Sequence, residues 1–161
     1  MALLRPARES DVQRLTEVAR RSWLSAFAQT APFSMIQQWV RNDREPEWHR
    51  RYWPDMLVAE VDGTVVGLVF TSQDEINGLW VIPSHQRHGH GTALLRAGEE
   101  RIRAAGFART WLTCSTFNPN AMEFYRAQGY AEANRIGEIL PCGTREESIV
   151  FERFFATGAA P

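Results

Sequence analysis

Three features of the chain predict a mixed α/β domain. Apolar residues recur at helical spacing early in the chain. From Met56 the pattern shifts to short apolar runs joined by an Asp-Gly turn, and a strand–loop–helix unit is centred on Gly89 and Gly91. The 161 residues are enough for one hydrophobic core. At 44% hydrophobic and 23% charged, usage is that of an ordinary globular chain, which excludes a disordered, collagen-like or disulfide-stapled protein. One domain over 1–155 is expected, followed by a flexible tail over 156–161 (Ala156-Thr-Gly-Ala-Ala-Pro161).

Residues 2–6 read as a first strand. Ser10-Asp11-Val12-Gln13 has the form of a capping box, and Val12, Leu15, Val18 and Ala19 follow at helical spacing. Ser34-Met-Ile-Gln37 repeats the box and predicts a short helix to about Val40. The charged, aromatic stretch 41–54 reads as a loop with at most one helical turn. Leu57–Val61 and Thr64–Thr71 form a hairpin, because Asp62-Gly63 supplies the positive φ angles of a primed turn. Glu75–Ile82 is a third strand, stopped by Pro83. Gly91–Ala105 is a helix with Gly106 as its stop. Thr110–Cys114 is a strand, Asn118–Gln128 a helix ended by Gly129, and Ala131–Ile139 with Ser148–Phe155 a closing antiparallel pair. The helix between Glu75–Ile82 and Thr110–Cys114 makes a crossover, so those two strands must run parallel.

Charge and cysteine content narrow the function. Eighteen basic residues, every one Arg, face 19 acidic ones for a net charge of −1, which argues against a nucleic-acid surface. Cys114 and Cys142 lie 28 residues apart without a CxxC, so neither a zinc ribbon nor a disulfide framework is indicated. No apolar run approaches the ~18 residues of a membrane span, and the opening Met-Ala-Leu-Leu-Arg-Pro is too short and too soon charged for a signal peptide. A cytoplasmic, reduced protein is expected. There is no internal repeat or low-complexity tract.

The segment Val81-Ile-Pro-Ser-His85-Gln-Arg-His-Gly-His-Gly91-Thr is the most informative. A strand ends at a proline, a polar loop follows, and two glycines open an apolar helix. Gly89 and Gly91 let the backbone approach a ligand and turn several N–H groups toward one point, at a helix N-terminus that favours negative charge. A dinucleotide fingerprint needs a glycine where Leu94 stands, and a P-loop needs a lysine that the chain lacks. Alone, a GxG of this kind serves equally well as a plain tight turn.

A second motif begins 27 residues after Gly91: Asn118-Pro-Asn-Ala121-Met-Glu-Phe124-Tyr125-Arg-Ala-Gln-Gly129-Tyr130. Together with Gln86-Arg-His-Gly-His-Gly91 it resembles the GNAT superfamily of acyl-CoA-dependent N-acetyltransferases. The family pattern Gln/Arg-x-x-Gly-x-Gly/Ala is matched over 86–91, and the resemblance runs from the 57–71 hairpin to about Tyr130. It implies a GNAT fold with a mixed central sheet of about seven strands, about four helices, and a V-shaped splay between the two central parallel strands. It also implies transfer of an acetyl group from acetyl-CoA to a primary amine, with no metal. By the same resemblance, Leu79, Trp80 and Val81 offer backbone bonds to the acetyl and pantetheine groups. The amides of Arg87, His88, Gly89, His90, Gly91 and Thr92 hold the pyrophosphate, Asn118 bonds the pantetheine side, and Phe124 packs against the arm. Tyr125 matches the general acid.

These residue types suit the chemistry. Amine attack on a thioester builds negative charge on oxygen, which fixed backbone donors meet best. The leaving thiolate needs a proton, and a phenol of pKa ~10 stands near a thiol of ~8.5. Glu75, opening the central strand, is the candidate base, with water held near it or a solvated strand end beside Asp74 as the alternatives. In the ribosomal-protein alanine acetyltransferases the carboxylate sits at the position of Thr113, which cannot serve, so that sub-family is disfavoured.

Other features have plainer readings. His85, His88 and His90 are read as loop histidines near phosphate rather than a metal set. Cys114 is read as a buried structural thiol, and Cys142 receives no role. Trp23, Phe27, Phe33, Trp39, Trp48, Tyr52 and Trp53 exceed the packing needs of two short helices, and either wall the acceptor site or form core under a long loop. The acceptor is open, with a small amine favoured over a peptide N-terminus. A homodimer is allowed by the family, and no nucleic-acid or membrane partner is expected. A non-catalytic acyl-CoA-binding module of the same fold is the rival reading.

Overall fold

The computed structural model describes residues 1–156, so all but the first residue of the expected tail lies outside the described residues. Seven strands form one sheet in the order β1-β2-β3-β4-β5-β7-β6. They are β1 (Leu3–Pro6), β2 (Met56–Val61), β3 (Thr64–Ser72), β4 (Glu75–Val81), β5 (Arg109–Ser115), β6 (Ala131–Ile139) and β7 (Arg145–Phe154). Every pairing is antiparallel except β4 with β5, as the crossover argument requires. The β2–β3 turn is of the primed kind, with Asp62 at φ 48° and Gly63 at φ 74°.

Among the described residues there are five α-helices against the four expected: α1 (Val12–Phe27), α2 (Phe33–Arg41), α3 (Glu45–Tyr52), α4 (His90–Ala104) and α5 (Pro119–Ala127). The additional one, α3, occupies most of the stretch read as a loop. Pro46 at its first turn is compatible with a helix start, and Trp48, His49 and Tyr52 turn one face inward. Trp48 and Tyr52 pack on Phe70 of β3 at ring separations of 5.0 and 5.4 Å. Tertiary contact thus made a helix of a segment whose charge hid its periodicity.

Neither expected Ser-led cap forms. A 3-10 turn over Glu9–Asp11 precedes α1 instead: the Asp11 carboxylate accepts the Arg8 N–H at 2.8 Å within that turn and takes Arg5 at 2.7 Å, but makes no capping bond to α1. Ser34 lies inside α2 and bonds Thr144 at 2.7 Å instead. Asn118 does cap α5, its Oδ1 accepting the Ala121 N–H at 3.2 Å.

The buried core runs through β2, β3 and β4 and reaches β5 and β7, with Leu15 and Val18 of α1 and Leu94, Leu95 and Ile102 of α4 packed into it. Close approach of α4 to β3 depends on two glycines. A Cβ on Gly67 would stand 2.9 Å from Leu94 Cδ1, and one on Gly98 would stand 3.2 Å from Val69 Cγ2. The buried Glu99 carboxylate on α4 accepts from Arg96 at 2.7 Å, from Arg153 at 2.8 Å and from the Tyr130 hydroxyl at 2.9 Å. That network ties α4, the α5–β6 connection and β7 together. A buried carboxylate left without such partners would be costly.

Candidate active site

β4 and β5 are joined at one register position, Glu75 opposite Trp111. Asp74 clasps that end: its carbonyl accepts the Trp111 N–H at 3.1 Å, and its carboxylate accepts the Trp111 indole N–H at 3.0 Å. Beyond the clasp the strands part, and the β5-facing edge of β4 continues without a ladder. Such an edge presents backbone groups that a ligand can use in place of the missing strand. A cavity of about 570 Å³ opens there.

Its lining brings together most residues expected to bind or act. Leu79, Trp80 and Val81 come from β4, and Arg87, Gly89, Gly91 and Thr92 from the loop and first turn of α4. Asn118, Phe124 and Tyr125 come from α5 and its cap. The phosphate loop has the shape its glycines suggest. Arg87 and Gly89 take φ values of +66° and +83°, and α4 starts at His90. Among the described residues, the N–H groups from Arg87 to Thr92 have no hydrogen-bond acceptor, and Ala93 donating to Gly89 at 3.0 Å makes the first helical bond. Six successive unengaged amides at a helix N-terminus have the chemistry that suits an anion. The Phe124 ring closes its inner side, 3.7 Å from where a Cβ on Gly91 would stand.

Three expected site residues lie outside this lining. His88 is exposed, with Nδ1 2.8 Å from the Gln86 carbonyl. His90 is half-buried beside His85 and His88, at ring separations of 6.2 Å. Burial, and secondarily its two neighbours, hold His90 below the ordinary histidine pKa. Only the backbone amides of His88 and His90 are placed with this run of amides. Glu75 does not line this cavity. Among the described residues no group of His, Cys, Asp and Glu converges as metal ligands.

Tyr125 is buried, in edge contact with Phe124 at 5.3 Å and with Tyr130 at 5.7 Å, and its hydroxyl makes no hydrogen bond among the described residues. Burial, with a smaller contribution from Cys114, pushes its pKa well above the usual phenol value. The phenol therefore keeps its proton and has it available for a bound group. Cys114 is buried, with its thiol pushed up to about 11 by burial, which makes it a poor nucleophile.

Two parts of the site were not anticipated. Gln86 donates from Nε2 to the Val81 carbonyl at 2.9 Å, which locks the loop onto the end of β4. Ser22, Ser25 and Ala26 of α1 also line the cavity. Their i, i+3, i+4 spacing was legible as a stripe of small residues, but only the fold sets that stripe beside the splay. Asn118 has a divided role: Oδ1 is committed to the α5 cap, which leaves its amide nitrogen for a ligand.

A family model described as acetyltransferase (GNAT) family matches residues 12–130, and the chain belongs to that family. An uncharacterized N-acetyltransferase of Bacillus subtilis, YuaI, is 25% identical over 137 residues, covering 79% of each chain. The IAA acetyltransferase of Azospirillum brasilense is 31% identical over 108 residues, covering 62% of this chain and 69% of that one. Among solved structures, a GCN5-related N-acetyltransferase from Rhodopseudomonas palustris superposes with a TM-score of 0.83 at 23% identity, covering 96% of each chain. The PaiA N-acetyltransferase of Thermoplasma acidophilum, solved in complex with coenzyme A, gives 0.77 at 21% identity, covering 96% of this chain and 99% of that one. These likenesses establish the GNAT fold. No described helix is long and apolar enough to cross a membrane.

Proposed function

We propose that this protein transfers the acetyl group of acetyl-CoA to a primary amine by direct attack within one ternary complex. The observation that carries this reading is the run of unengaged amides from Arg87 to Thr92 set beside an unladdered edge of β4. The amides suit a pyrophosphate, and the strand edge suits the amide-bearing pantetheine arm. Bound there, acetyl-CoA supplies an activated thioester. The backbone N–H groups of Leu79 and Val81, which alternate away from β3, meet the charge that develops on its carbonyl oxygen, while Trp80 stays paired with Leu68 of β3. The amide side chain of Asn118 and the ring of Phe124 hold the arm.

Tyr125 gives its proton to the departing sulfur. Its raised pKa keeps that proton in place until the sulfur becomes basic. The amine loses its proton to water of the cleft, relayed toward Glu75, which stands at the closed end of the V. No covalent bond to the protein is needed. Thiol release from acetyl-CoA measured across a panel of amines tests the reading. Amine-dependent release supports it, whereas tight acetyl-CoA binding with no release from any amine would make the chain a binding module.

A further inference from the structure

One buried hydroxyl of the cleft is left without a partner. Ser22 on α1 is 2% exposed and lines the cleft cavity, and its Oγ makes no hydrogen bond among the described residues. Thr16 on the same helix behaves differently, its hydroxyl donating to the Val12 carbonyl one turn back at 3.0 Å. The matching carbonyl for Ser22 is that of Val18, and Ser22 does not take it. An unpaired buried hydroxyl carries a desolvation penalty that a bond to a ligand would offset.

The course of α1 identifies which part of a ligand reaches Ser22. Near the helix start, Arg14 donates from Nε to the Val65 carbonyl of β3 at 2.8 Å. Val65 lies beside the end of β4, since the next carbonyl, that of Val66, accepts the Ile82 N–H at 2.9 Å. Just past the helix end, the Thr30 hydroxyl donates to the carbonyl of Phe117, which follows β5. The helix therefore crosses from β4 to β5 over the gap where these strands part. Ser22, Ser25 and Ala26 face that gap. The neighbouring stripe turns elsewhere: Trp23 stacks on Trp39 of α2 at 4.1 Å, and with Phe27 these rings line a separate cavity.

The crossing is on the face of the sheet away from α4. Along β3, Phe70 meets Trp48 and Tyr52 of α3, whereas Gly67, Val69 and Thr71 meet Leu94 and Gly98 of α4. α1 packs beside α3. A molecule held at its pyrophosphate by the amides that open α4 thus has its phosphates on one face, and its arm passes the β4 edge toward α1. The acyl end is the part that arrives at Ser22.

We propose that the Ser22 hydroxyl donates a hydrogen bond to the thioester carbonyl oxygen of bound acetyl-CoA, as a side-chain donor beside the amides of β4. The assignment rests on the acetyl-CoA site proposed above and is independent of which amine is the acceptor. In transfer, the amine nitrogen bonds to the carbonyl carbon and the π pair moves onto the oxygen, where Ser22 and the β4 amides hold the charge. The adduct then collapses with the C–S pair leaving on sulfur, which takes the Tyr125 proton. The nitrogen gives up its protons to water of the cleft, which reprotonates Tyr125. Ser22 keeps its own proton and forms no covalent bond.

Three measurements on the whole protein and its Ser22→Ala variant test the assignment. Calorimetry compares acetyl-CoA with CoA, which lacks the carbonyl. The ratio of the two affinities should fall several-fold in the variant, through weaker binding of acetyl-CoA with CoA unaffected. The infrared stretch of bound acetyl-CoA, isotopically labelled at the acetyl carbonyl, should move to higher frequency because that C=O has lost a donor. The melting temperature without ligand should be unchanged or higher, since the free protein loses only an unpaired hydroxyl. An unchanged carbonyl stretch, an equal loss of acetyl-CoA and CoA binding, or a lower melting temperature overturns the proposal. If the ratio and the stretch change as described but no amine releases thiol from the wild-type protein, the acetyl-transfer reading falls and Ser22 stands as an acetyl-recognising residue.

Discussion

Glu75 faces Trp111 in the one pairing that joins β4 to β5, and the Trp111 indole donates to Asp74 across the same junction. The apex of the V is therefore held by a side-chain bond as well as by the ladder. Trp111→Phe removes the indole donor while keeping most of the apolar contact. It should lower stability by about 1 kcal/mol and raise the KM for acetyl-CoA, as denaturant titration and steady-state kinetics would show. Unchanged stability would mean the clasp contributes nothing.

Gly67 is a second control point for the cleft. A Cβ there would meet Leu94 Cδ1 and the Trp80 carbonyl, each at 2.9 Å. The leucine tip can swing aside, but the carbonyl belongs to the strand that lines the cleft. Gly67→Ala should cost roughly 1–3 kcal/mol and weaken acetyl-CoA binding in the same variant, because relief of the clash moves β4.

The two glycines of the loop should behave differently. Gly89 has φ +83° with open space around it, so Gly89→Ala suffers from backbone strain of roughly 1–2 kcal/mol and rotates the run of loop amides. Gly91 lies in the first turn of α4, where a Cβ would make an ordinary 3.7 Å contact with Phe124. Gly91→Ala should be tolerated, with a gain of up to about 1 kcal/mol from helix propensity. Melting curves and acetyl-CoA affinity for the pair would check the contrast.

Tyr125→Phe should reduce kcat by roughly 10²-fold and leave acetyl-CoA affinity unchanged, since the ring packing is kept. Burial raises the Tyr125 pKa, so the acid form persists past pH 10, the ordinary phenol value. The wild-type kcat profile should consequently show no alkaline loss from this group below that pH. A wild-type kcat in the phenylalanine variant would remove Tyr125 from the chemistry.

Acid should unfold the protein partly through His49, which is 1% exposed and whose Nε2 has no partner among the described residues. Its folded pKa is depressed below 6.5 by burial, so the unfolded chain binds the proton more readily. Stability then falls as pH drops below about 6.5, with a slope of at most about 1.4 kcal/mol per pH unit, and gains nothing from this group above it. His49→Gln should be less stable at pH 7 yet lose this part of the acid slope, as denaturant titrations at pH 7 and 5 would show.

Much of the fold was legible because it is written in local chemistry. Asp62-Gly63 requires a primed turn, Gly89 before an apolar helix makes an open N-terminus, and Asn118 caps the helix it precedes. The losses came where a distant partner decides. Ser34 looks like a cap but bonds Thr144, 110 residues away. The stretch 45–52 looks like a charged loop but is helical against Phe70.

From the residue order alone came the element types, the parallel crossover and the two motifs with their separation, since these depend on neighbours within a few positions. Tertiary structure decided where β4 leaves β5 and which small residues of α1 face the cleft. It also decided that Trp23 and Trp39 stack in a cavity while Trp48 packs on the core. Periodicity tells which face of an element is apolar, but only the assembled layers determine whether that face meets another element or an open space.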